Sequence, residues 1–247
     1  MDADIILRTE SLTRRFGGFT ALKDVSVAFE RGKLTSIIGP NGAGKSTFFN
    51  ILSGSFPPSA GRVLFDGVDV SGMRQHHFPR MGVAKSFQIT NIFPAFSVLE
   101  NVRIALQAKV ARLDFWSRRA ALELAGPARE LLQLVGIAAH AARPARELAH
   151  GQQRALEIAI ALAADPTLLL MDEPTAGMSP EETRSMMDLI QRLAQERTVI
   201  LVEHKMKMVM GISDRVVVLH HGELLAAGTP ADIRANAEVK RVYLGRH

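Results

Sequence analysis

The chain has 247 residues, of which 47% are hydrophobic and 22% are charged, a balance typical of a soluble globular protein with a full core. It contains no cysteine, which excludes disulfides and thiolate metal sites, and its formal net charge of +5 is modest. Met1 to Asp4 lack the features of a secretory signal, and the longest apolar run, Ile158 to Ala164, is far below the roughly 20 residues of a membrane helix. We expect one domain, with an inserted lobe, that reaches a membrane only through a partner.

Strand-like sequence dominates the first part of the chain. We predict strands at Ile5 to Thr9, Val25 to Phe29, Leu34 to Ile38 and Arg62 to Phe65, the last followed by an Asp66-Gly67 turn. Directly after the third of these runs comes the sequence GPNGAGKST, and a helix is predicted from Lys45 to Leu52. Because it lies between a strand and a helix, the pattern is interpreted as a P-loop.

The P-loop pattern has a direct physical meaning. Its glycines let the backbone turn tightly, so that successive N–H groups and the helix N-terminus point at one anion. Lys45 is expected to reach the outer phosphates of a triphosphate, and the Ser46 hydroxyl to bind a magnesium ion that also bridges phosphate oxygens. The residues predicted to bind nucleotide are Gly39, Pro40, Asn41, Gly42, Ala43, Gly44, Lys45, Ser46 and Thr47. The alternative is a glycine-rich turn that carries a lysine by chance.

The middle of the chain is predicted to be helical. From about Val98 to Leu134 the apolar residues fall at helical spacing, interrupted by Asp114 and by Gly126-Pro127, which indicates several helices. Three short apolar runs follow, at Leu168 to Met171, Val199 to Val202 and Val216 to Leu219. Such runs suit strands that are buried on both faces of a parallel sheet. The predicted layout is an α/β core split by a helical insert.

Two adjacent carboxylates follow the strand predicted at Leu168 to Met171. The carboxyl end of a strand is where α/β sheets place ligands. We therefore predict that Asp172 holds the magnesium ion through water and that Glu173 polarises the attacking water. A solvent-exposed acidic turn, which Pro174 also suits, is the alternative interpretation.

A second segment that faces an anion is predicted at LAHGQQ, from Leu148 to Gln153. It lies directly ahead of a helix predicted at Ala155 to Ala164, which Asp165-Pro166 would stop. Gly151 and the helix N-terminus would again point at an anion, although a plain helix-entry turn explains this glycine as well. Two such helix starts with one P-loop indicate a nucleotide held between two surfaces.

The order of these motifs resembles the ATPase subunit of an ATP-binding cassette transporter. The matching sequences are GPNGAGKST, SFQIT, LAHGQQRALEIA, LLLMDEP and LVEHK, which span nearly the whole chain. The resemblance implies an α/β fold: a P-loop NTPase core with a mostly parallel sheet, an antiparallel β subdomain and an inserted α-helical subdomain. It also implies a single nucleotide-binding domain over residues 1–247, with a core lobe at residues 1–88 and 152–247 and a helical subdomain at about residues 89–151.

The same resemblance implies roles for three residues whose own signals are weak. Phe16 would stack on adenine. Gln88 would act on the magnesium ion and the attacking water, and would couple both to the helical lobe. His204 would contact the γ-phosphate. By themselves these residues are equally explained by ordinary packing, a polar loop and a surface histidine.

The resemblance also implies partners. The chain would form a head-to-tail dimer, with itself or a related ATPase subunit, that encloses ATP. One subunit would close over the partner's P-loop with the residues Ala149, His150, Gly151 and Gln152. Hydrolysis would open the dimer and drive two membrane permease subunits, with a solute-binding protein as an indirect partner and no nucleic acid. The expected location is therefore cytoplasmic, on the inner face of the cell membrane.

Two departures from the family pattern indicate a particular group of ATPase subunits within the family. Many members have serine and glycine where this chain has Ala149 and His150, and aspartate where it has Ser179. Ser179, Pro180 and Glu182 instead form a predicted helix start with a capping box. Together with the segment EHKMKMVMGISDRVVVLHHGELLAAGTP and the terminal VYLG, these features resemble the ATPase subunits of branched-chain amino-acid importers and their relatives.

Several alternatives remain at this point. The tail at Arg241 to Gly245 also resembles that of ATPase subunits of lipid or lipopolysaccharide exporters. A soluble, non-transport cassette ATPase would usually carry two cassettes or a long coiled-coil insert, and the chain has neither. A small-molecule kinase would explain the P-loop but not the other motifs, and the NKxD motif of a GTPase does not occur in the sequence.

Overall fold

The computed structural model describes residues 4–86, 92–107 and 123–244. In chain order the strands are β1 (Ile5–Phe16), β2 (Phe19–Glu30), β3 (Leu34–Ile38), β4 (Ala60–Phe65), β5 (Val68–Asp69), β6 (Val83–Ser86), β7 (Leu168–Asp172), β8 (Thr198–Val202), β9 (Arg215–His220) and β10 (Glu223–Gly228). The helices are α1 (Lys45–Leu52), α2 (Val98–Gln107), α3 (Ala125–Leu134), α4 (His150–Leu162), α5 (Pro180–Ala194), α6 (Met206–Ile212), α7 (Pro230–Ala235) and α8 (Ala237–Leu244). Short 3₁₀ segments lie at Gln75–Met81, Ala138–His140 and Ala145–Glu147.

The larger sheet has the order β10-β9-β3-β8-β7-β6. Its strands are parallel from β9 to β6, and β10 pairs with β9 in the antiparallel sense. Ile37 pairs with Val202, which in turn pairs with Asp172, so β3, β8 and β7 end close to one line across the sheet. This register brings the segments that follow the three strands to the same edge.

The smaller sheet is antiparallel, with the order β2-β1-β4-β5. Strands β1 and β2 are longer than the apolar runs that predicted them, at Ile5 to Thr9 and Val25 to Phe29. Register shifts along this pair, together with positive φ angles at Ser11 and Asp24, let the ladder continue past the apolar runs. The mostly parallel sheet, the antiparallel sheet and the helices confirm the predicted fold class.

The core lies on both faces of the larger sheet. On one face Leu168 and Leu170 pack with Phe48 and Phe49 of α1 and with the smaller sheet. On the other face alternate residues of the same strands pack against the helices, in a cluster that includes Val98, Val102, Ala128, Leu132, Leu156, Leu169 and Met171. Strands buried on both faces explain the continuous apolar runs in the sequence.

The helical predictions need one correction. Helix α4 covers His150–Leu162, so it begins five residues before the predicted start at Ala155 and the LAHGQQ segment forms its N-terminus. The predicted break at Gly126-Pro127 coincides with the start of α3, and the proline lies in its first turn, where it costs no intrahelical hydrogen bond. Asp114 lies outside the described residues. Within the described ranges, no helix has both the length and the apolar character required to cross a bilayer.

Candidate nucleotide-binding site

The candidate site lies at the carboxyl edge of the larger sheet. Strand β3 leads into the P-loop, β7 ends at Asp172, and β8, which lies between them, leads into Glu203 and His204. Because parallel strands end at one edge, segments separated by well over 100 residues in sequence meet there.

The P-loop is packed tightly between the two sheets. A Cβ on Gly39 would lie 2.4 Å from the carbonyl oxygen of Leu219 in β9, so only glycine fits this position. Gly44 has a φ of +95°, and a Cβ there would lie 2.7 Å from the carbonyl oxygen of Ala21 in β2. Ala43 is buried, whereas Asn41, Gly42 and Ser46 are exposed.

Lys45 starts α1 and is 7% exposed. Its Nζ donates hydrogen bonds to the carbonyl oxygens of Gly39, at 2.7 Å, and Pro40, at 3.1 Å. Burial lowers the pKa of the ammonium group, and the nearby carboxylates of Glu173 and Asp172 oppose this shift. The lysine charge and the two carboxylates therefore share one small region. Thr47, two residues further along α1, is half-buried.

Asp172 is a buried carboxyl group with an unused oxygen. It is 4% exposed, and its Oδ1 has no hydrogen-bond partner. Burial, and secondly the charge of Glu173, raise the pKa of Asp172, whereas Lys85 and Lys45 oppose the rise. A cation or an ordered water beside Oδ1 would satisfy this oxygen. Among the described residues, no group of three or more His, Asp or Glu side chains is arranged to hold a metal ion.

Glu173 and His204 lie beside each other. Glu173 has a φ of +45°, and its backbone N–H donates to the carbonyl oxygen of Val202, which ties the residue to the end of β8. The Nδ1 of His204 is 3.8 Å from Glu173 Oε1, and about half of the His204 side chain is exposed. A non-glycine residue at positive φ is held there by its surroundings, and such strain is often found at functional sites.

Glu203, which was not among the predicted site residues, is a fully buried carboxylate behind His204. Its Oε1 accepts hydrogen bonds from the hydroxyl of Thr175, at 2.5 Å, and from the Thr175 backbone N–H, at 3.3 Å. Its Oε2 accepts from the His204 backbone N–H, at 3.2 Å. Glu203 thus joins the loop after Glu173 to the segment that carries His204. A charged residue next to an apolar run is the one sequence signal that marked it.

If the chain hydrolyses ATP, as the resemblance implies, replacing Glu203 by glutamine is expected to slow that hydrolysis about tenfold. The same change is expected to lower the free energy of unfolding by about 1–3 kcal/mol, the range for a buried polar group left unsatisfied. The amide has one acceptor oxygen, whereas three N–H and O–H groups donate to this carboxylate. Steady-state turnover and chemical denaturation measure the two effects. The exposed Glu130→Gln variant is the control, and equal behaviour of the two variants would show that Glu203 does not position the site.

Lys85 is a second residue that the sequence analysis did not identify. Its Nζ donates to Asn50 Oδ1 at 2.8 Å, and burial lowers the pKa of the Lys85 ammonium group, opposed by the charge of Asp172. Lys85 therefore places a further positive charge near the carboxylate at the end of β7.

Phe16 is exposed at the end of β1, where an aromatic ring is available to a ligand. The Phe56 ring meets it edge-on, with ring centroids 6.0 Å apart, and the guanidinium carbon of Arg14 lies 4.6 Å from its centroid. Its contact with adenine stays a prediction. Gln88 lies outside the described residues, so its predicted role is also left as a prediction.

The segment Ala149–Gln152 forms the start of α4. Ala149 has no side-chain acceptor, so one half of a capping box forms, in which the Ala149 backbone N–H donates to Gln152 Oε1 at 3.1 Å. The other end of the Gln152 amide lies 3.0 Å from His140 Nε2. Ala149, Gly151 and Gln152 line a cavity of about 530 Å³ with Met178 and Glu182, and no P-loop residue is among its described lining residues.

A P-loop at the carboxyl edge of a parallel sheet, with a buried aspartate and an adjacent glutamate on the neighbouring segment, defines a P-loop nucleotide-binding protein. A family model described as "ABC transporter" matches residues 22–176, and one described as "Branched-chain amino acid ATP-binding cassette transporter" matches residues 223–247. The chain therefore belongs to the ABC transporter family, as an ATPase subunit.

Individual relatives agree with this assignment. The chain is 40% identical to the high-affinity branched-chain amino acid transport ATP-binding protein LivG of Salmonella typhimurium, over 97% of this chain and 98% of LivG. It is 41% identical, with the same coverage, to BraF of Pseudomonas aeruginosa, which has the same description. Among solved structures, a nucleotide-free ATP-binding cassette from an ABC transporter has a TM-score of 0.85 at 29% identity, over 97% of this chain and 98% of that one. A dimeric cassette in a post-hydrolysis state, bound to ADP and Pi, has a TM-score of 0.78 at 27% identity, over 91% and 98%.

Proposed function

We propose that this chain is the ATP-hydrolysing subunit of an importer for branched-chain amino acids or closely related solutes, which pass through separate permease subunits. The choice of solute rests on one observation, the match of residues 223–247 to the C-terminal part of branched-chain amino acid cassettes. The relatives over the full length of the chain carry the same description, which favours import over the exporter alternative.

The chemistry follows from the residues at the carboxyl edge of the sheet. The P-loop N–H groups and Lys45 bind the β- and γ-phosphates. The Ser46 hydroxyl and Asp172, the latter through water, would hold a magnesium ion. The unpartnered oxygen of Asp172 and the exposed Ser46 at the start of α1 support this metal site. When bound, magnesium neutralises charge on the phosphate oxygens.

Glu173 accepts a proton from the attacking water, whose oxygen bonds to the γ-phosphorus as the bond to the β,γ-bridging oxygen breaks. His204, 3.8 Å from Glu173, donates to the γ-phosphate, and Glu203 holds its backbone in place. Gln88 links the water and the magnesium ion to the helical subdomain. Phe16 stacks on the adenine. We place the core lobe at residues 1–88 and 152–247 and the helical subdomain at about residues 89–151, the bounds that the resemblance implies.

ATP is enclosed between two subunits. In this proposal the segment Ala149–Gln152 of one copy covers the ATP bound to the P-loop of the other. The dimeric cassette with bound ADP and Pi is a precedent among the similar structures.

The permeases contact the chain at a groove of the core lobe. The groove, of about 560 Å³, lies between the 3₁₀ segment Gln75–Met81, β6 and α4, and most of its lining is apolar. A partner seated there would contact α4, the helix whose N-terminus carries the segment Ala149–Gln152. In this proposal the chain lies on the cytoplasmic face of the cell membrane, bound to the permeases.

Reconstitution tests the proposal. The chain is co-expressed with two candidate permease subunits and a candidate solute-binding protein, and the complex is placed in liposomes. We expect uptake of labelled leucine, isoleucine or valine that requires ATP on the side of the ATPase and is absent in the Glu173→Gln variant. Uptake of none of these solutes, in vesicles that still hydrolyse ATP, would contradict the proposed substrate class.

A further inference from the structure

The start of α4 is in contact with a carboxylate of its own chain. Glu182 lies in the first turn of α5, where its Oε2 accepts a hydrogen bond from the Ser179 backbone N–H at 2.9 Å and its backbone N–H donates to the Ser179 hydroxyl at 3.2 Å. Its Oε1 lies against Gly151, so close that a Cβ on Gly151 would be 2.7 Å away from it. One side chain thus joins the loop after Glu173 to the segment Ala149–Gln152.

This contact places negative charge at a helix N-terminus. Gly151 is the second residue of a 13-residue helix, where backbone N–H groups have no helical carbonyl to bind. The hydrogen bonds from Ser179, and to a smaller extent the backbone of Gly151 and the charge of His150, lower the pKa of Glu182. The carboxyl group is therefore ionised at neutral pH.

Neighbouring residues form a second contact between the loop that follows Glu173 and the segment Ala149–Gln152. The His150 ring lies over Gly177, with its Cε1 3.5 Å from where a Cβ of Gly177 would be, and Gly177 has a φ of +73°. His150 and Ser179 are two of the positions at which this chain departs from the common family pattern. The structure brings both departures into one contact region, between α4 and the loop that follows Glu173.

We propose that Glu182 is a positioning residue that holds the segment Ala149–Gln152 in the separated subunit. Its carboxylate occupies the N-terminus of α4, which the γ-phosphate of the partner's ATP would face in the closed dimer. This inference rests on the ATP-enclosing dimer of the proposed function. Because both anions compete for the same N–H groups, closure displaces Glu182 from Gly151. The displacement loosens the loop that begins at Glu173 in the same subunit. Closure over one bound ATP therefore alters the residues around the other bound ATP.

The test compares dimer formation in three proteins that do not turn over ATP: the Glu173→Gln parent, and this parent with either Glu182→Gln or Glu181→Gln. Glu181 is a matched control, since it is an exposed glutamate in the same first turn of α5. Glutamine also completes a capping box, so the helix start is retained in the Glu182 variant. Sedimentation at saturating Mg-ATP gives the dimer dissociation constant of each protein.

We expect Glu182→Gln to tighten the dimer about tenfold, because a charge at a helix N-terminus changes an equilibrium by about two- to fivefold and the dimer contains two such contacts. Glu181→Gln should stay within about twofold of the parent. Nucleotide affinity of the separated subunit should be the same in all three proteins. A Glu182 variant that dimerises no better than the Glu181 variant would overturn the inference while leaving the proposed function intact. A parent that stays monomeric with ATP bound would instead remove the proposed dimer, and this inference with it.

Discussion

Replacing Glu173 by glutamine is expected to reduce ATP hydrolysis by about 100-fold or more, the usual contribution of a positioned general base, and to leave ATP binding intact. The amide keeps the shape of the side chain but cannot accept the proton of the attacking water. It also removes one of two neighbouring carboxylates that would repel the γ-phosphate. Because the bond between the β- and γ-phosphates is not hydrolysed, the ATP-bound dimer should persist.

Phosphate release and multi-angle light scattering with ATP measure the two consequences. The exposed Glu130→Gln variant has the same change of charge at a distant position and should behave like the unmodified protein. Normal phosphate release by the Glu173 variant would show that another group activates the water. Retention of ATP by a protein that is always monomeric would show that the nucleotide is not enclosed between two copies.

Replacing Lys45 by alanine is expected to weaken ATP binding about 10- to 100-fold, because a hydrogen bond to a charged group is worth about 1.5–3 kcal/mol. The effect has two sources. The variant loses the ammonium group that would bind the outer phosphates, and it leaves Asp172 and Glu173 without the positive charge that Lys45 places beside them. The net field at the P-loop therefore becomes less favourable for an anion.

Equilibrium binding of a fluorescent ATP analogue to the Lys45 variant provides the measurement, with Lys33→Ala as the control. Lys33 is exposed and lies just before β3, so its removal changes the net charge equally without touching the P-loop. Comparable affinity in the two variants would remove Lys45 from the site. If the two variants differ in affinity for the ATP analogue but not for ADP, which lacks the γ-phosphate, Lys45 contacts the γ-phosphate.

The sequence predicted some elements to the residue. Strand β3 and helix α1 have the predicted bounds, Leu34–Ile38 and Lys45–Leu52. Both are specified by residues that are adjacent in the chain: a short apolar run, then glycines that permit the turn, then helix-forming residues. Strands β7, β8 and β9 of the larger sheet were also predicted from their own apolar runs, since burial on both faces leaves a continuous signal. Strands β6 and β10 of the same sheet were not predicted.

Other elements were predicted in part because distant contacts complete them. The long β1–β2 hairpin continues past its apolar runs by pairing polar residues and bulges. Helix α4 starts at His150, although glycine is a poor helix residue, because Gln152 binds the Ala149 backbone and Glu182 places charge at the helix start. Glu182 is 31 positions away from Gly151, so no local pattern contains this information.

The sequence by itself determined the motifs of the candidate site, because a phosphate-binding loop depends on the backbone freedom and donor groups of contiguous residues. The tertiary structure alone decided which distant residues support those motifs: Glu203 beneath His204, Lys85 beside Asp172 and Glu182 against Gly151. Burial and hydrogen-bond partners of these side chains depend on which strand ends and helix starts come together. That is set by the order of the strands in the sheet and by packing on its two faces, and neither is present in any short stretch of sequence.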